Sequence, residues 1–172
     1  MEDTDVGRVP AGEGWFVLNA RDARWRVEGM GGKLTFFEGE AEPWQLGFNV
    51  SVLEPGQPMA MYHYENDQED FLVLSGEPLL VVEGEERPLR PWDLVHCPPG
   101  TEHVIVGAGD GPSVLVAVGT RAGRDDWGAY TVDEAAIRHG AGVEQETTKA
   151  AEAYARFPPD RFTRYEDGWL PG

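Results

Sequence analysis

The chain of 172 residues holds one cysteine, Cys97, so no intramolecular disulfide can form and no multi-cysteine zinc site can be built. A reducing compartment suits such a chain, and the expectation is a cytoplasmic protein. No apolar run approaches the roughly 18–20 residues that span a bilayer. The stretch from Met1 to Gly14 has neither the basic patch nor the apolar segment that directs secretion. Basic residues are also scarce: 14 Lys and Arg stand against 31 Asp and Glu, a net charge of −17. DNA or RNA would dock against that repulsion with no basic stripe to receive it, and an anionic membrane surface meets the same objection. Histidine is scarce too, at His63, His96, His103 and His139.

What is present is enough for a folded core. Hydrophobic residues make up 41% of the chain and aromatic residues 10%, which argues against disorder and fits one domain with an extension. Residues 1–14 read as a loosely held, flexible N-terminal arm. Residues 15–121 alternate short apolar runs with Gly, Pro and Asp signals: Trp15–Asn19, Lys33–Phe37, Gln45–Leu53, Met59–Glu65, Phe71–Leu74, Leu79–Glu83, Leu94–Cys97, His103–Val106 and Ser113–Val118. Strands of this length and spacing predict an all-β sandwich or barrel. Residues 122–172 form a C-terminal extension. Asp133–His139 closing on Gly140, and Thr147–Phe157 stopped by Pro158-Pro159, predict two short helices packed outside the β body.

The chemistry-bearing residues fall in two segments. In Met61–Gly76, a strand, a polar turn at Asn66-Asp67-Gln68 and a second strand are expected. His63 and Glu65, two apart, share a face. With that turn, Glu65 and Glu69 stand opposite each other across the hairpin, an unfavourable pairing of like charges unless a cation or proton neutralises it. In Pro91–Val106, a Pro-Pro-Gly turn presents His103 at the start of a strand. His63, Glu65, Glu69 and His103 make a mixed nitrogen and oxygen set that suits one divalent transition metal, Zn, Fe(II), Mn or Ni, better than Ca or Mg. His96 and Cys97 are adjacent on a strand, so one of them faces inward; His96 is a candidate pocket residue, and Cys97 reads as a small buried hydrophobe. His139 reads as a cation at a helix end.

These segments resemble the two motifs of the cupin family. The first runs Gly, five residues, His-x-His, three or four residues, Glu, six residues, Gly; here Gly56 opens it, and Glu69, DFLVLS and Gly76 close it. The second appears as Trp92, DLVHC, Pro98-Pro99-Gly100, Thr101-Glu102 and His103. The resemblance implies an all-β, cupin-like double-stranded β-barrel of the jelly-roll type, with a metal held inside and the short α-helical extension added. The chain departs from the pattern in places. Counting back from Glu69, the shorter spacing puts His63 and Glu65 at the His-x-His positions, and the longer one puts Tyr62 and Tyr64 there; the first supplies ligand chemistry. Trp92 replaces the opening Gly of the second motif and Gly107 its final Asn. The family set of three His and one Glu becomes two His and two Glu.

A metal-dependent enzyme acting on a small non-phosphorylated molecule is the expected function, with oxygenase- or isomerase-like chemistry in the barrel. His63, Glu69 and His103 would be ligands and Glu65 a fourth ligand or general base. The alternative is a non-catalytic ligand-binding, metal-binding or regulatory module; a barrel without metal is a third. Charge bears on the substrate. Leu34–Glu86 holds 12 acidic residues and no Lys or Arg, a field that attracts cations and discourages phosphate. Cupins often pair through edge strands, so the resemblance also implies a homodimer.

Overall fold

The computed structural model describes residues 1–12, 14–39, 44–121 and 126–172. In chain order the strands are β1 (Glu2–Thr4), β2 (Gly7–Val9), β3 (Arg24–Arg26), β4 (Lys33–Phe36), β5 (Leu46–Leu53), β6 (His63–Glu65), β7 (Glu69–Ser75), β8 (Leu79–Val82), β9 (Glu85–Pro88), β10 (Leu94–Cys97), β11 (His103–Val106), β12 (Ser113–Thr120) and β13 (Gly128–Tyr130). Helices α1 (Glu134–Arg138) and α2 (Ala150–Ala153) follow, then β14 (Phe162–Arg164). A seven-stranded sheet runs β10-β7-β12-β5-β4-β3-β14, and a five-stranded sheet runs β13-β6-β11-β8-β9. The fold is mostly β and of the jelly-roll type, although among the described residues the two sheets stay separate ladders. Among the described residues, no helix is long and apolar enough to cross a membrane.

Alternation along the strands places the core. On β5, Leu53 joins Phe71, Val73, Leu80, Ile105 and Leu115 between the large sheets. Val50 and Val52, on the opposite face, pack with Trp25 beneath Tyr165, Trp169 and Leu170 from the end of the chain. The five-stranded sheet is backed by α1, whose Ala135 and Ala136 lie on Tyr62, Val81, Val104 and Val106. Small residues on that helix let it approach the sheet closely. Asp133 caps it, its Oδ1 accepting from Ala136 N at 2.7 Å.

Four features differ from the sequence reading. Residues 2–9 form the β1–β2 hairpin instead of a loose arm; Arg8 N donates to Asp22 O at 2.8 Å, and the Arg164 guanidinium donates to Asp5 O at 3.1 Å and to Thr4 O. These bonds reach residues far along the chain and leave no local pattern. Trp15–Asn19 forms no strand, and Trp15 stands exposed. The second helix is a single turn, because Tyr154 and Phe157 turn inward to pack with Tyr130 and Met30. Finally, β6 and β7 do not form a hairpin. β6 pairs with β11 and β13, whereas β7 pairs with β10 and β12, so residues 66–68 cross from one sheet to the other. The extension therefore supplies a strand to each large sheet, β13 and β14, as well as packing on the outside.

Candidate metal centre

The crossing between sheets assembles the site. His63 on β6 stands directly opposite His103 on β11, with ring centroids 5.0 Å apart. Glu69 opens β7 in the facing sheet and reaches across: its Oε2 lies 3.5 Å from His63 Nε2 and 3.4 Å from His103 Nε2. The three ligand atoms all fall within 4.8 Å of one another. Each imidazole is oriented through its other nitrogen, His63 Nδ1 on Met61 O at 2.7 Å and His103 Nδ1 on Thr101 O at 2.9 Å. A carbonyl only accepts, so Nδ1 carries the proton in both rings and the Nε2 lone pairs face the carboxylate when the rings are neutral.

Buried atoms left without partners mark this spot. Glu69 Oε2 and His103 Nε2 are shielded from solvent and neither makes a well-formed hydrogen bond. Donors about 2.1 Å from a shared ion sit roughly 3.0 to 3.4 Å apart for octahedral to tetrahedral angles. The observed 3.4 and 3.5 Å fit that spacing better than direct hydrogen bonding. Burial would push the Glu69 carboxyl up, but the His103 and His63 imidazoles outweigh it and hold the group below the usual carboxylate range. Burial likewise disfavours charged His103, yet Cys97 and Glu69 lift it above the usual imidazole range. Positive charge is favoured at this point, as a proton or a cation. Glu65 has its Oε1 3.9 Å from His63 Nε2, outside the close trio. Burial and the charge of Glu69 raise its carboxyl.

The trio opens onto a cavity of about 290 Å³ lined by Glu65, Met59, Phe71 and residues that sequence reasoning missed: Trp127, Tyr130, Tyr154 and Arg121. The Trp127 and Tyr130 rings lie 6.2 and 6.0 Å from His63, and Tyr130 meets Tyr154 edge-on at 5.4 Å. Their signal in the sequence was a set of aromatic residues in an otherwise polar extension. His96 is not at the cavity. Its side chain is 55% exposed and bonds Asp70 Oδ1 through Nδ1 at 2.6 Å on the outer face, while its neighbour Cys97 takes the inward position. Tyr62 is buried against α1, on the face away from the cavity, so of the two spacings the one with His63 and Glu65 inward is the arrangement adopted. His139 caps the end of α1 and contacts Glu86 at 3.2 Å.

A family model described as the cupin domain matches residues 49–119, the stretch that carries all three close ligands. This stretch belongs to the cupin superfamily. The two departures in the second cupin motif have a structural meaning. Trp92 holds the left-handed backbone that a Gly would take, at φ 76°. At Gly107 a Cβ would lie 2.2 Å from Glu54 O, which leaves no room for Asn. Among solved structures, a cupin-superfamily sugar phosphate isomerase of Silicibacter pomeroyi is 25% identical over 88% of this chain and 83% of that one, with TM-score 0.53. A predicted oxalate decarboxylase of Thermotoga maritima is 19% identical over 61% and 98%, with TM-score 0.53, and shares the fold. A candidate sugar phosphate isomerase of Acidithiobacillus ferrooxidans is 28% identical over 50% of this cupin, which spans 55% of that chain, at TM-score 0.46. No curated protein matches the sequence.

Proposed function

We propose that this cupin holds one divalent transition metal, Zn, Fe(II), Mn or Ni, on His63, Glu69 and His103, and that it is an enzyme acting on a small non-phosphorylated molecule. The observation that carries the reading is the convergence of two imidazole Nε2 atoms and one carboxylate oxygen from facing sheets, with Glu69 Oε2 and His103 Nε2 buried and unpartnered. Two His and one carboxylate suit those metals, and a bound ion of this kind would polarise an oxygen of the bound molecule or lower the pKa of water. Glu65 stands one step away, where a raised carboxyl can serve as fourth ligand or take a proton as general base. Trp127, Tyr130 and Tyr154 wall the cavity and limit water around the reacting groups. The reading includes a cytoplasmic homodimer.

A sugar phosphate, as the name of the Silicibacter pomeroyi protein would suggest, fits the cavity less well. Among the described residues, Arg121 is the only Lys or Arg lining it, and Glu38 already occupies part of that guanidinium. Elemental analysis of protein purified without added metal, repeated on His63→Ala and His103→Ala, tests the centre. Full retention of metal in both variants would overturn it. Uptake of azide or nitric oxide by the loaded protein then separates an open, enzymatic site from a saturated binding module, and tight binding of a sugar phosphate would refute the substrate class.

A further inference from the structure

We propose that Arg121 is the anion-binding residue of this cavity and that the molecule it holds carries a carboxylate. The proposal deepens the small-molecule reading above and rests on it. Its basis is the seat in which the guanidinium lies. Gly47 on β5 and Gly119 on β12 are partners in register at the cavity end of the seven-stranded sheet. A Cβ at Gly47 would lie 2.0 Å from Arg121 Nη2 and 2.2 Å from Cζ, and one at Gly119 would lie 3.3 Å from Nη1. Two facing side chains are missing from the sheet where the guanidinium rests. Glu38, also over Gly47, accepts from Nη2 at 3.1 Å and from Nε at 3.4 Å, and Thr120 O accepts from Nη1 at 3.4 Å. A guanidinium has five N–H groups, so among the described residues one hydrogen on each of Nη1 and Nη2 is left for a ligand.

Position and charge name the ligand class. Glu69 Cγ and Arg121 Nη1 lie 3.8 and 3.3 Å from the same point above Gly119, so the guanidinium sits beside the ligand cluster, and a molecule that fits 290 Å³ can touch both. The remaining pair of hydrogens matches the two oxygens of a carboxylate. A phosphate dianion would bring a second negative charge to a cation already paired with Glu38, in a cavity that Glu65 and Glu69 also line.

Isothermal titration with lactate and inorganic phosphate at neutral pH tests this on the purified protein, metal-loaded and metal-stripped. Lactate, a singly charged carboxylate, should bind the wild type more tightly than phosphate, and Arg121→Gln should weaken it roughly tenfold to a hundredfold while melting within a few degrees of the wild type. Arg121→Lys should recover part of the loss, and it supplies the comparison if the Gln variant does not fold. Undiminished lactate binding in both variants overturns the proposal, as does failure of the wild type to bind lactate at millimolar concentration. Tighter phosphate than lactate binding refutes the carboxylate assignment. Arg121-dependent lactate binding by protein that takes up no metal would sink the metal centre and leave the proposal standing; normal metal uptake with Arg121-independent lactate binding would do the reverse.

Discussion

Replacing each of the two paired glycines by alanine separates the guanidinium seat from the fold. Neither Gly47 nor Gly119 has a left-handed backbone, so alanine meets no conformational penalty and should add about 0.5–1 kcal/mol of stability in a strand. At position 47 the new methyl would fall 2.0 Å from Arg121 Nη2 and 2.3 Å from Glu38 Oε1, and both groups must leave. The pair they form is partly solvated, with Arg121 39% and Glu38 20% exposed, so its loss should cost no more than about 1 kcal/mol. The two effects nearly cancel. Gly47→Ala should melt within a few degrees of the wild type, since 1 kcal/mol corresponds to about 2–4 °C at this size. Its lactate affinity should nevertheless fall as far as that of Arg121→Gln. Gly119→Ala is the control: its methyl meets the guanidinium at 3.3 Å and Glu69 Cγ at 3.8 Å, contacts that a small side-chain shift absorbs. It should keep binding and gain stability. Wild-type binding by Gly47→Ala, or equal losses in the two variants, would refute the reasoning. A drop of several kcal/mol in Gly47→Ala would show instead that the Arg121–Glu38 pair holds the fold together.

Other substitutions test the remaining parts of the structure. His96→Ala should keep its full metal content by elemental analysis while Glu69→Ala loses it, since His96 pairs with Asp70 on the outer face and Glu69 contacts both cavity imidazoles. Titrating metal-free protein with copper(II) should quench tryptophan fluorescence, and Trp127→Phe should remove most of the effect because that ring lies 6.2 Å from His63; unchanged quenching would put the ion elsewhere. Trp92→Gly should raise the melting temperature, because an exposed side chain is given up to relieve a left-handed backbone that costs about 1–2 kcal/mol, against about 0.5–1 kcal/mol of added chain entropy. Asp133→Ala should destabilise the protein by about 1 kcal/mol through loss of the cap on α1, and an unchanged denaturation midpoint would remove that helix from the stability of the five-stranded sheet.

The parts of the fold that were legible in the sequence are those whose causes are local. Leu94–Cys97 and His103–Val106 were read with the bounds the structure has, because Pro91-Trp92-Asp93 and Pro98-Pro99-Gly100 end the strands on either side. Glu69 and His103 were found for a similar reason, each opening a strand just after a turn that the sequence itself announces, and His63 was added by its two-residue spacing from Glu65 and by the cupin motif. Their convergence was expected from a hairpin and comes instead from two sheets, since the choice of partner for β6 lies with β13, outside the segment that was read.

Arg121 shows what local reading leaves out. Its setting needs Glu38, 83 residues away, and a strand register that brings Gly119 opposite Gly47. In the sequence both glycines count only as residues that weaken strands. Once the register pairs them, the missing side chains become the space in which the guanidinium lies. The stretch from Leu34 to Glu86 has no basic residue of its own, yet it supplies both the floor and the clamp, Gly47 and Glu38, that hold a basic residue from outside it. Its acidity does not leave the cavity uniformly negative. It fixes one cation at the edge of a carboxylate-lined space, an arrangement that can hold a singly charged oxygen acid against a metal centre and disfavours a doubly charged one.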